Sequence, residues 1–188
     1  MNRLYIENPK IENSKYRIRL VRKKDLNDLL KIYSNKENLK YINCDDCNGD
    51  DFYYSNLKEL EKKYEFWKCA YKKKWFIRMS IISKETKLVI GMCELMMIDS
   101  YDSFNDCILL RLDLLIEYEK NNVIKDIICL LNDHLLINCS YKKLITKATS
   151  NMKERVLTLN QLGFKLSNRI LVGKEDNKPY KDYYVRKK

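Results

Sequence analysis

Cys107-Ile-Leu-Leu-Arg-Leu-Asp-Leu-Leu-Ile116 is followed by the polar stretch Glu117-Tyr-Glu-Lys-Asn-Asn122 and then by Val123 to Ile137, where Ile124, Ile127, Ile128, Leu131 and Leu135 share one helical face. The first segment is apolar throughout except for Arg111 and Asp113, which is the pattern of a strand buried on both faces or nearly so. The third has the period of a helix with one apolar side. Lys143 to Ala148 then returns to a short strand. A buried strand, a polar turn, an amphipathic helix and a second strand form the frame around which the rest is read.

Upstream, Trp75 to Ile82 and Leu88 to Ile98 read as a hairpin around Ser83-Lys-Glu-Thr-Lys87. Gly91 inside the second run predicts a bulge or a close approach of another backbone. Tyr53, Leu57, Leu60, Tyr64, Trp67 and Tyr71 alternate at spacings of four and three, which predicts a long helix over 53–72. That stripe packs on the chain's own sheet or, as a heptad-like seam, pairs two copies in a homodimer. Tyr16 to Arg22 reads as a strand. Leu26, Leu29, Leu30 and Tyr33 set a helix over 24–33, and a short helix covers Glu37 to Ile42 before the polar loop 43–51. Downstream, Met152 to Gln161 reads as a helix ended by Gly163, which suits a left-handed C-cap. Phe164 to Val172 and Asp182 to Arg186 are the last strands. The order β–α–α–α–β–β–β–α–β–α–β–β is that of a mixed α/β sheet without the strict alternation of a doubly wound or barrel fold. One domain over 1–188 is expected, with 1–15 as an N-terminal extension.

With 188 residues, 45% of them apolar, the chain can bury roughly 70% of the surface it exposes when unfolded. It needs neither disulfide nor metal to hold a core, and a disordered chain is excluded. Lys plus Arg number 37 against 26 Asp plus Glu, a formal net charge of +11. Such a surface favours anionic partners. The basic runs Arg22-Lys-Lys24, Lys72-Lys-Lys74 and Lys142-Lys143 are solvated faces or a patch facing nucleic acid or the ribosome. The N-terminus lacks a signal-peptide pattern. The longest unbroken apolar run, Ile127 to Leu131, falls far short of the roughly 20 residues that span a bilayer. A cytoplasmic location without a membrane partner is expected. The seven cysteines then read as free thiols. Cys44-Asp-Asp-Cys47 lacks the second pair of a zinc site, the one histidine, His134, being distant in sequence, so no metal is expected.

Four segments, in order, carry a resemblance. Ile18 to Asp25 with Tyr33 to Tyr41, Leu88-Val-Ile-Gly91, Leu110 to Tyr118 with its following helix, and Leu162-Gly-Phe164 together resemble the GNAT superfamily of N-acetyltransferases, and within it the RimJ/RimL-like branch. The resemblance implies a GNAT-like fold: a central, mostly antiparallel sheet with one splayed parallel strand pair and helices on both faces. The pair would be Leu109–Leu115 and Leu144–Ala148, diverging at the Leu115 end and joined by a right-handed crossover. It implies acetyl-CoA as co-substrate, with the pantetheine along Leu114, Leu115 and Ile116. The pyrophosphate would lie at the turn and helix start formed by Lys120, Asn121, Asn122, Val123, Ile124 and Lys125, since the unpaired N–H groups of a helix N-terminus bind anions. Asn151 matches the Asn that opens the last helix in the branch, one residue farther from Gly163 than expected. The family turn is Gln/Arg-x-x-Gly-x-Gly/Ala. Glu119, Asn122 and Ile124 stand at its signature positions, so the turn reads as degenerate. Glu119 sets an anion against the phosphates, Asn122 is a Gly substitute able to turn left-handed, and Ile124 puts a branched side chain in the phosphates' path.

Acetylating an amine requires a base, or a water chain, to take its proton. The position of the branch's glutamate base holds Leu109, and that of the tyrosine that protonates the thiolate holds Leu159. Asp113 and Glu94 are the candidate catalytic carboxylates, although Asp113 also stands on one strand face with Arg111, where the two can simply pair. His134 reads as a solvated helical residue. The function implied is an acyl-CoA-dependent N-acetyltransferase acting on a primary amine: a protein N-terminus, a polyamine or a small amine. The alternative is a catalytically weak or silent GNAT-fold binding module for a protein or nucleic-acid partner.

Overall fold

The computed structural model describes residues 5, 8–42, 51–100, 102–172 and 178–188. Cys44 and Cys47 lie outside them. The main sheet runs in the order β1 (Lys10–Glu12), β2 (Tyr16–Leu20), β3 (Ile77–Ser83), β4 (Val89–Ile98), β5 (Cys107–Leu114), β6 (Lys143–Lys147), β10 (Tyr183–Lys187) and β7 (Lys165–Leu166). Every pairing in it is antiparallel except β5 with β6. The segment 1–15 therefore contributes an edge strand, which its charged sequence Lys-Ile-Glu does not announce.

Helices α1 (Leu26–Tyr33), α2 (Lys36–Ile42) and α3 (Leu57–Lys72) cover one face, where Leu29, Ile32, Tyr33, Leu60 and Trp67 pack with Met92. Helix α4 (Asn121–His134) covers the other, setting Ile124, Ile127, Ile128 and Leu131 against Ile77, Met79, Leu110 and Leu112. Of the 53–71 stripe, Leu60 and Trp67 are buried in the core shared with α1 and β4, whereas Tyr53 and Leu57 are exposed. The helix begins at Leu57 rather than Tyr53 because Asn56 caps it, its side chain accepting from the Glu59 N–H at 3.1 Å. Helix α5 (Lys153–Gln161) ends as its glycine requires: Gly163 has φ +79°, and the Phe164 N–H returns to the Leu159 carbonyl at 2.9 Å.

Gly91 shows both features its sequence position suggested. The β3–β4 register slips between Ile81 and Ile82 beside it, and a Cβ at Gly91 would lie 2.7 Å from the Asp113 carbonyl oxygen of β5. The run 164–172 is not one strand. It breaks after Leu166, and β8 (Leu171–Val172) pairs apart from the main sheet with β9 (Pro179–Tyr180). Strand β5 stops at Leu114, two residues early, because Ile116–Tyr118 fold into a 3-10 turn and the Ile116 N–H bonds to the buried Asn38 side chain at 2.9 Å. Helix α4 starts at Asn121, two residues early, and so takes most of the expected anion-binding turn into its first coil.

Candidate active site

β5 and β6 pair only through Cys107–Lys143, Ile108–Leu144 and Leu109–Ile145. Beyond Leu109 they part, β5 following β4 to Leu114 and β6 following β10 to Lys147. The gap is lined by Arg111 and Asp113 of β5, Tyr41 and Ile42 of α2, Thr146 and Lys147 of β6 and Arg155 of α5, and narrows to a cavity of about 10 Å³.

Asp113 lies on the wall of this gap and is 2% exposed. Its carboxylate accepts from Arg111 Nε at 3.0 and 3.2 Å and from the Tyr33 hydroxyl at 2.7 Å. Burial, reinforced by the Asp113 charge, pushes the Tyr33 hydroxyl well above its ordinary pKa, which keeps it a donor. Arg111 also donates to the Ile42 carbonyl at 2.8 Å, and its guanidinium lies 3.7 Å from the Phe52 ring centre. Glu94 sits in one cross-strand row with Arg78 and Arg111. It is held by Arg78 Nε, whose guanidinium stacks 4.7 Å over Trp67. Sequence placed Asp113 and Glu94 on neighbouring strands. The structure brings them to the same sheet face, each locked to a buried arginine. Arg78 Nη1 and the Tyr5 hydroxyl are buried without a hydrogen-bond partner. Burial first, then the Glu94 charge, pushes the Tyr5 hydroxyl up to about 12.

The anion turn differs from its sequence reading at each signature position. Glu119 does not face outward as a bare charge. It forms a two-armed pair with Arg155 at 2.6 and 2.8 Å, and both side chains are 4% exposed. Ile124 is fully buried between α4 and the sheet, so its bulk is turned away from the turn. Asn122 is helical and exposed, with no left-handed backbone. Val123 is buried, and Lys120 and Lys125 are exposed.

The donors expected for a bound cofactor are partly committed. The Asn121 N–H donates to the Glu154 carboxylate at 2.9 Å, and the Asn121 side chain donates to Thr158 and Gln161 at 2.8 and 3.1 Å. Leu115 N–H donates to the Ile90 carbonyl at 3.0 Å. The N–H groups of Asn122 and Val123, at the start of α4, have no partner among the described residues. Leu114 is buried beside the gap. Asn151 is exposed in the turn before α5, its Oδ1 bonded by the Thr149 hydroxyl. Leu109 and Leu159 are core residues, and His134 is exposed at the end of α4. Sequence reasoning missed Glu154 and Arg155. Two adjacent charges opening a helix carry no signal that they meet a turn 33 to 36 residues away.

No protein-family model matches the chain, and no curated protein matches its sequence. Solved structures do match its fold. A GCN5-related N-acetyltransferase from Brucella melitensis superposes with a TM-score of 0.70 at 15% identity, over 99% of this chain and 81% of that one. RimJ of Mycobacterium smegmatis, in complex with CoA-disulfide, gives 0.70 at 9% identity, over 98% and 88%. Spermidine N-acetyltransferase from Vibrio cholerae, in complex with CoA and spermine, gives 0.62 at 16% identity, over 92% and 94%. The fold is that of the GNAT N-acetyltransferases, RimJ/RimL-type enzymes among them. No helix among the described residues is long and apolar enough to cross a membrane.

Proposed function

We propose that the protein is an N-acetyltransferase that carries an acetyl group from acetyl-CoA to a primary amine. The observation that carries this reading is the parting of β5 and β6 after Leu109, next to the start of α4. A parted parallel pair leaves strand-edge N–H and C=O groups for the amide-bearing arm of a CoA, and the Asn122 and Val123 N–H groups offer the positive end of a helix to its phosphates. The CoA complexes of the RimJ and spermidine acetyltransferase neighbours favour the same occupant.

The amine nitrogen attacks the thioester carbonyl; the C–N bond forms, the C–S bond breaks, and CoA leaves as a thiolate that takes up a proton. Holding the two reactants together supplies much of the acceleration. Asp113 is the carboxylate on the cleft wall and is assigned the acceptor's proton, directly or through water; Glu94, which does not line the gap, is assigned none. With Leu109 and Leu159 where the branch has a base and an acid, turnover is expected to be slow, since such groups contribute about 10²–10⁴-fold each. A thiol-release assay with acetyl-CoA and a panel of polyamines and peptide N-termini tests this. Transfer that falls more with Asp113→Asn than with His134→Ala supports it. Turnover indifferent to Asp113 removes that assignment, and no transfer to any amine removes the enzymatic reading.

The second reading, a silent binding module, is favoured by one contact, Glu154 on the Asn121 N–H. It requires that acetyl-CoA not bind wild type, where Glu154 holds that N–H.

A further inference from the structure

We propose that the sheet face beyond the start of α1 is a binding groove for the phosphate backbone of a nucleic acid, separate from the β5–β6 cleft. The groove encloses about 620 Å³ and is walled by Arg17 and Arg19 of β2, Lys84 and Lys87 of the β3–β4 turn, and Arg22 and Lys24 just before α1. Its two acids, Asp25 and Asp28, are already spent. Asp25 accepts from Arg19 at 2.7 and 2.8 Å and from the Ser80 hydroxyl at 2.7 Å, and Asp28 accepts from the Val89 N–H and from Lys31. Arg17 is paired with Glu12, and Lys84 donates to the Asn13 carbonyl. The exposed side chains of Arg22, Lys24 and Lys87 have no ion-pair partner among the described residues, so three cations line the groove outside any salt bridge.

The lining also says what kind of anion fits. Among the described residues, Ile82 and Val89 are its only apolar members and no aromatic ring lines it. It offers no platform for stacking a base and no pocket to anchor a peptide side chain. Recognition by charge alone suits a repeating phosphate chain, read without regard to sequence. The groove reaches β4 at Val89, but it shares no lining residue with the β5–β6 gap.

The test is fluorescence anisotropy with a labelled single-stranded RNA of roughly 20 nucleotides and mixed sequence, titrated from about 50 to 200 mM salt. The variant is Arg22→Glu/Lys24→Glu/Lys87→Glu, all on exposed, unpaired side chains. The control, Lys72→Glu/Lys73→Glu/Lys74→Glu, reverses the same number of charges on a distant basic run. Wild type is expected to bind with steep salt dependence. The groove variant is expected to bind at least about tenfold more weakly, with a log–log salt slope flatter by about 2, the loss of three contacts at about 0.7 each. Acetyl-CoA titration of the same variant, unchanged from wild type, shows the fold is kept. Equal loss in the control would mean net charge alone, and overturns the proposal. So does absence of binding by wild type, or competition by polyglutamate as effective as that by unlabelled RNA of equal charge, which would point to an acidic protein.

Discussion

Glu154, in the first turn of α5, holds its carboxylate 2.9 Å from the backbone N–H of Asn121, the first residue of α4. A helix N-terminus carries a partial positive charge and unpaired N–H groups. Here the protein's own carboxylate takes one of those groups, at the helix start to which the proposed function assigns the cofactor phosphates. Glu154 is exposed and its carboxylate has no other partner among the described residues, so an incoming dianion can displace it at a modest cost.

Removing that carboxylate is expected to help cofactor binding. Glu154→Ala should tighten acetyl-CoA by about threefold to tenfold, about 0.7 to 1.4 kcal/mol, as expected for lifting a like charge from a helix N-terminus. Titration of both proteins at low and high salt checks this. The gain should shrink as salt rises, because the interaction between exposed charges is screened.

The signature residues themselves should behave oppositely. Glu119→Ala removes the carboxylate that takes two hydrogen bonds from the buried Arg155 and should cost about 3–5 kcal/mol. Ile124→Gly opens a cavity in the core between α4 and the sheet and should cost at least the roughly 2–5 kcal/mol typical of truncating a buried Ile. Neither should tighten acetyl-CoA. Urea unfolding midpoints and the same titration distinguish this from the sequence-based expectation that both residues obstruct the phosphates.

Gly91→Ala should be destabilising by about 1–3 kcal/mol, the usual cost of forcing bulk into a packed site. The new Cβ would press on the Asp113 carbonyl, which is backbone and cannot swing aside. Because the displaced strand is β5, acetyl-CoA affinity should fall together with the thermal midpoint.

Acid should weaken the Arg19–Asp25 link. Burial alone would raise the Asp25 pKa, but hydrogen bonds from Arg19, the Arg22 N–H and Ser80 outweigh it and hold the carboxyl below its ordinary value. A lowered folded pKa means the group's contribution is fully present above the unfolded value of about 3.9 and is lost as pH falls through the folded one. Thermal midpoints of wild type should therefore drop below about pH 4 more steeply than those of Asp25→Asn. Parallel curves would show that Asp25 contributes no pH-dependent stability.

The parts of the fold that were legible in the sequence are those where apolar period alone decides structure. Cys107–Leu114 reads as a buried strand, the α4 stripe as a helix on a sheet, and Leu162-Gly-Phe164 as a capped helix end, because each pattern has one favourable burial. β1 was not legible, since a three-residue edge strand with charged ends buries too little to leave a pattern. The site was legible as a place but not as a set of contacts. Arg78, Arg111 and Arg155 are buried by partners in other elements or across strands, and charge in a sequence does not say which arginine will be desolvated. Glu119 looked like an obstacle for that reason. Its partner, Arg155, comes from a helix that sequence could place but not orient.

The most direct measurement is calorimetric titration of acetyl-CoA into wild type, Glu154→Ala and the groove variant Arg22→Glu/Lys24→Glu/Lys87→Glu. The expected result is one site per chain, competed by CoA, tighter in Glu154→Ala and unchanged in the groove variant. Heats no greater than dilution for both wild type and Glu154→Ala would contradict the assignment of the parted β5–β6 pair as an acetyl-CoA cleft.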